Sequence, residues 1–209
     1  MVHVILIHGL WMTGLESSVL RGRLAHRGFA VEQYHYRSLT VDPDTVVAEL
    51  AERAAAVPGG VHLVGHSLGG LVALRLAEQR PELPLGHVVL LGSPVNGSGA
   101  ARGLSRWPGG RWLLGHLPAE ELLRERPRAW TRPNPLGVIA GSRPLGVGRV
   151  IGDLAEPNDG TVAVDETRLD GLKEHLVLPV SHMGMLLSEE VATAVASFLH
   201  HGTFSPPVL

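Results

Sequence analysis

The sequence predicts an α/β fold: a doubly wound, mainly parallel six-stranded sheet with helices on both faces and a cap-like insertion. Three observations carry this expectation. Short apolar runs alternate with stretches of helical periodicity along most of the chain. Such βα units cross over with one hand and cover both faces of a parallel sheet. One gap, residues 93–135, breaks the rhythm and exceeds an ordinary connection. The run Gly65-His66-Ser67-Leu68-Gly69 stands directly between an apolar stretch and a helical one.

The elements follow in chain order. Val2 to Ile7 reads as a buried strand. Gly14 to His26 carries Leu15, Val19, Leu20 and Leu24 at helical spacing, and Gly28 closes that helix. Phe29 to Tyr36 is the second strand. Asp44 is the expected cap of a helix from Thr45 to Ala56, whose apolar face holds Val46, Val47, Leu50 and Ala54. Val61 to Val64 is the third strand and Leu68 to Arg80 the helix after it, ended by Pro81 and Pro84. His87–Leu91, Leu136–Ala140 and Leu176–Val180 are the remaining strands. The last helix runs from Ser188, its N-cap, to His200, with Glu190 in its first turn. The tail 202–209, with two prolines, is expected to be frayed or loosely docked.

With no internal repeat, residues 1–209 read as a single domain, and 93–135 as an insertion forming a cap or lid. That insertion holds Trp107, Trp112 and Trp130, several leucines and seven arginines. Its helical stretch, Arg111 to Arg126, is interrupted by Pro118.

Composition narrows the function classes. A chain of 209 residues, 44% hydrophobic and 18% charged, fits a soluble globular domain with a real core. A net charge of −2 argues against a general nucleic-acid binder. No run reaches the roughly 18 apolar residues of a membrane span. The first residues lack the charged region and cleavage site of a secretion signal, so the expected location is cytoplasmic. The absence of cysteine excludes disulfides and thiolate metal sites.

The chemistry centres on Ser67. A strand turning sharply into a helix holds a serine hydroxyl at the tip of a strained elbow, and Gly65, Gly69 and Gly70 let the two elements approach. A hydroxyl needs an adjacent base to act as nucleophile. Among 12 histidines, His182 is the candidate, because it follows the last strand and lies over the same sheet edge. His66 adjoins the serine, but the elbow is expected to direct it away from the base position. The candidate acid is Asp159, in Asn158-Asp159-Gly160, between the fifth strand and His182. An aspartate there equally suits a plain Asx turn, and Asp153 and Asp165 are rivals. The amides of Leu10, after His8-Gly9, and Leu68, at the helix start, are candidate oxyanion donors. Trp11 and Met183 are candidate pocket walls, with core packing an equal reading for Trp11.

These residues together resemble the α/β-hydrolase superfamily, of the small bacterial lipase and carboxylesterase type. The resemblance rests on His8-Gly9, Gly65 to Gly70, Asp159-Gly160-Thr161-Val162 and Ser181-His182, and spans nearly the whole chain. Small bacterial lipases of this type also open on the His-Gly strand, so the resemblance implies the minimal, six-stranded form of the fold. It further implies a catalytic order Ser67, Asp159, His182, an acyl-enzyme, and no metal or organic cofactor. The implied substrate is a small-molecule ester with an apolar acyl group. A thioester or amide would use the same residues, and a non-catalytic binding module on a hydrolase scaffold is the reading from another class. Membrane-surface contact through residues 102–132 is a further idea. A folded cap with a solvated, arginine-rich face is favoured over it. Oligomeric state is not encoded in any pattern here.

Overall fold

A computed structural model describes residues 1–106, 115–123, 128–145 and 154–205, and six parallel strands organise it. They are β1 (Val2–Ile7), β2 (Phe29–Tyr34), β3 (Val61–His66), β4 (Leu85–Leu91), β5 (Leu136–Gly141) and β6 (Glu174–Leu178), in the order β2-β1-β3-β4-β5-β6. Every neighbouring pair is parallel. The central stretches Val4–Ile7 of β1 and Val88–Leu91 of β4 are apolar and buried because both faces are covered there. Ile5 and Ile7 of β1 enter one core while Val4 and Leu6 enter the other, and Val88/Leu90 and Val89/Leu91 of β4 divide the same way.

Among the described residues the α-helices are α1 (Ser18–His26), α2 (Pro43–Ala55), α3 (Leu68–Gln79), α4 (Gly99–Ser105), α5 (His116–Leu122) and α6 (Glu189–His201). Leu20 and Leu24 of α1 pack with Val191, Val195 and Phe198 of α6 on one face. On the other face, Leu50 of α2, Leu71 of α3, Ala101 of α4 and Leu117 of α5 share a core.

Local chemistry explains where expectation and structure part. The cap of α2 is Asp42, not Asp44: Asp42 Oδ2 accepts from the amides of Asp44 at 3.0 Å and Thr45 at 3.1 Å. Pro43 stands at the first helical position, which needs no N–H and suits its fixed φ. The first predicted helix splits into a 3-10 turn, Leu15–Ser17, and α1. Leu20 and Leu24 are buried as predicted, whereas Leu15 and Val19 are exposed, because the 3-10 turn rotates the stripe. Strand β2 stops two residues short of Tyr36, whose hydroxyl turns back to donate to His8 O at 2.9 Å. Strands β4 and β6 each begin two residues earlier than predicted. At the far end Ser188 Oγ accepts from Val191 N, as the N-cap reading requires. The tail is docked as far as 205: Phe204 packs on Phe198 and its amide donates to Glu174 Oε2 at 2.7 Å.

Between β4 and β5 lie α4 and α5. Pro118 falls in the first turn of α5 and so does not interrupt it, since no intrahelical bond is lost there. Trp107, Trp112, residues 111–114 and 124–126, and Asp153 lie outside the described residues. Two arginines of this region are not solvated, against expectation. Arg128 is buried, with Nη2 on Glu121 Oε2 at 2.6 Å and Nη1 on Leu71 O at 3.2 Å. Arg132 donates to Ala77 O, Arg80 O and Leu83 O, the carbonyls left over where α3 ends. These arginines staple the insertion to α3. Among the described residues, no helix is long and apolar enough to cross a membrane.

Candidate active site

Four strand ends converge on one edge of the sheet. At the end of β3, Ser67 adopts φ 55° and ψ −122°, a backbone conformation that non-glycine residues rarely take. Its amide donates to Leu91 O at 2.8 Å, which pins the turn to β4. The strand and α3 close so tightly that a Cβ on Gly69 would lie 2.2 Å from Ile7 O, and on Gly65 2.5 Å from Gly70 Cα. Only glycine fits at these two positions.

His182, beyond β6, is held by the acid loop at two points. Its amide donates to Asp159 O at 2.9 Å, and its Nδ1–H donates to Asp159 Oδ2 at 2.7 Å. Asp159 is 1% exposed. Its other oxygen, Oδ1, accepts from Thr161 N at 2.9 Å and Val162 N at 2.7 Å. One carboxylate oxygen thus meets the His182 ring while the other closes an Asx turn. Asp165 is solvent-facing and pairs with Arg168, so it stands apart from the site.

Ser67 and His182 line one cavity of about 340 Å³. Among the described residues the Ser67 hydroxyl makes no hydrogen bond to His182. The hydroxyl turns about one side-chain bond, and such bonds are commonly loose in unliganded sites. The Leu10 and Leu68 amides have no acceptor among the described residues. Leu68 opens α3, where the positive end of the helix lies. Trp11 and Met183 both line the cavity, and Trp11 is half-exposed at φ 56°, so it is not a core residue.

Other residues of the site escape sequence reasoning. His8 is buried, stacks on Tyr36 with ring centres 4.4 Å apart, and places its Nδ1 2.9 Å from Gly9 O. Burial pushes its pKa down, so the ring is a neutral brace under the His8-Gly9-Leu10 turn. His66 is buried against the His182 loop rather than directed away from it, with Nε2 3.0 Å from His182 O. Glu166 accepts from Gly99 N and Ala163 N, tying α4 to the acid loop. The cavity's far wall comes from Ala101, Leu104 and Leu122. No local spacing marks the His8–Tyr36, His66–His182 and Glu166–Gly99 contacts, which join segments far apart in the chain. No cluster of three or more His, Cys, Asp or Glu side chains among the described residues converges as a metal site would.

Comparison with known proteins agrees with this architecture. The sequence pattern described as "Alpha/beta hydrolase family" matches residues 4–195. Among solved structures, the mature Bacillus licheniformis lipase BlEst2 superposes with TM-score 0.71 at 18% identity, over 96% of this chain and 91% of that one. The metagenomic carboxyl esterase MGS0156 superposes with TM-score 0.66 at 18% identity, over 87% of this chain and 64% of that one. A pyrethroid hydrolase from Sphingobium faniae JZ-2 gives 0.57 at 20% identity, over 96% and 98%. At these identities the likeness is one of fold. A search of curated proteins returns no match.

Proposed function

The chain belongs to the alpha/beta hydrolase family, and on that premise we propose that it is a serine-dependent hydrolase cleaving carboxylic esters of apolar acyl groups through an acyl-enzyme. The observation that carries the reading is the Asp159–His182 hydrogen bond facing, across one apolar cavity, a serine on a strained strand-to-helix turn. Asp159 Oδ2 keeps the His182 proton on Nδ1, which leaves Nε2 as the free base. His182 takes the Ser67 proton as Oγ attacks the acyl carbon. The Leu10 and Leu68 amides receive the oxyanion, each donor lowering the barrier by about 3 kcal/mol. His182 then returns the proton to the departing alkoxide oxygen, and the alcohol leaves. A water activated by the same imidazole releases the acid.

The lining supports an apolar substrate. Among the described residues it holds leucine, methionine, alanine, proline and valine side chains and no Arg, Lys, Asp or Glu. The leaving oxygen must face His182, whose loop runs into Met185 and Leu186 on the α1/α6 face of the sheet. The acyl chain then points the other way, toward Ala101, Leu104 and Leu122 on the α2/α3 face. The insertion thereby acts as the roof of the acyl pocket.

The test is turnover of a p-nitrophenyl ester chain-length series, beside acyl-CoA and anilide substrates, by the native protein and by Ser67→Ala. Ester turnover lost in Ser67→Ala, with an unchanged melting temperature, supports the reading. Turnover confined to acyl-CoA or anilides, or retained in Ser67→Ala, refutes it.

A further inference from the structure

His66 is a buried titratable side chain that the chemistry above leaves without a task. It ends β3, directly before Ser67, and is fully buried. Burial and the neighbouring His182 push its pKa down to about 3, so the ring is neutral. Its Nε2 lies 3.0 Å from His182 O and therefore carries the proton and donates. Its Nδ1 is then an acceptor with no partner among the described residues. A buried polar atom left unmatched is a cost that a leucine of similar size would not incur. What the histidine supplies in return is the single donor on Nε2.

That donor reaches a particular place. Residue 182 is held through its amide and its Nδ1 by the acid loop, and through its carbonyl by His66. The first two bonds fix the imidazole relative to Asp159. The third bond ties it to the chain neighbour of Ser67, with the two imidazole rings 4.7 Å apart. The path from hydroxyl to base thus runs through one peptide link, one imidazole and one hydrogen bond. Because the Ser67–His182 bond is not yet made in this structure, a small slip of the His182 loop decides whether it can form.

We propose that His66 is a positioning residue that sets the separation between the Ser67 hydroxyl and the His182 imidazole. This rests on the reading of Ser67 and His182 as nucleophile and base. The contact spans 116 residues in sequence, which is why no motif announces it.

The experiment compares the native protein with His66→Gln and His66→Leu. A glutamine amide can reach the same carbonyl, whereas leucine fills the space without a donor. Steady-state hydrolysis of a soluble p-nitrophenyl ester is measured together with the rate of Ser67 phosphonylation and the melting temperature. His66→Leu should lose kcat by about 10- to 100-fold, the scale of a slightly misplaced catalytic group. Its KM should change less than its kcat, because His66, although it borders the cavity, is fully buried and donates its N–H to a backbone carbonyl rather than to a bound ester. Phosphonylation should slow in parallel, and His66→Gln should recover to within about threefold of the native kcat. If His66→Leu does not fold, His66→Asn takes its place, since its amide is too short to reach the carbonyl. Native kcat in the donor-less variant, or equal losses in the glutamine and donor-less variants, overturns the proposal. A native protein whose Ser67 is not phosphonylated overturns instead the underlying hydrolase reading, so the two failures are distinct.

Discussion

Replacing Asp159 with asparagine should silence the site while leaving its scaffold in place. Oδ1 accepts two backbone amides, from Thr161 at 2.9 Å and Val162 at 2.7 Å. An amide nitrogen cannot accept those bonds, so the asparagine carbonyl must keep that position. Its NH2 group then takes the place of Oδ2, 2.7 Å from His182 Nδ1. A donor would face a donor unless the imidazole moves its proton to Nε2. That tautomer presents N–H to Ser67 and cannot take its proton. The same change in a Ser-His-Asp system lowers kcat by about 10⁴, equivalent to about 5.5 kcal/mol of barrier. The turn survives, so the melting temperature should change little. Asp159→Ala loses the turn bonds as well, and should lower both kcat and melting temperature. The assay is kcat on a soluble ester alongside thermal unfolding of both variants. An Asp159→Asn kcat within about tenfold of native would refute the tautomer argument.

Three further outcomes follow from other parts of the molecule. Ala101→Leu, in the far wall of the cavity, should shift the preferred acyl chain shorter by about two to four carbons in the p-nitrophenyl series. An equal loss for all chain lengths would show that the acyl group lies elsewhere. Among the described residues, Arg128→Ala leaves the buried Glu121 carboxylate paired with Arg75 alone, 2.9 Å away. It should cost about 3 kcal/mol, near the lower end for a broken buried pair, seen as a lower urea midpoint at constant slope. Acid should also destabilise the fold through its histidines. Burial holds His62 and His175 at a pKa of about 4 and His66 at about 3. Above the unfolded value of about 6.5, both states are neutral and the stability is complete; between about 6.5 and 4 for His62 and His175, and down to about 3 for His66, only the unfolded state binds protons, so stability falls. Unfolding near pH 5 should take up about three protons from these groups, measurable by calorimetry in buffers of different ionisation enthalpy. A melting temperature flat from pH 7 to 5 would contradict it.

The parts of the fold that could be read in advance are those set by local sequence. Val4 to Ile7 is apolar throughout because that part of β1 is covered on both faces, and Ser188 caps α6 because its hydroxyl meets the Val191 amide one turn on. Ser67 was legible because its glycines and flanking periodicities all lie within a few residues. What stayed hidden depends on contacts between distant segments. Asp159 and Asp165 look alike in sequence, yet only the first meets the His182 loop. The arginines of the insertion look like a solvated face, yet Arg128 and Arg132 end on carbonyls and a carboxylate of buried elements. The exposed Leu15 and Val19 fit a helical stripe that a 3-10 turn diverts.

The central claim is that Ser67 is a nucleophile activated from across the sheet edge. The most direct measurement is intact-protein and peptide mass spectrometry after exposure to an alkyl fluorophosphonate, for the native protein and for His182→Ala. The account predicts one adduct per chain, on the peptide containing Ser67, and labelling slowed by about a thousandfold or more in His182→Ala. An unlabelled native protein, or an adduct on any other residue, would contradict it.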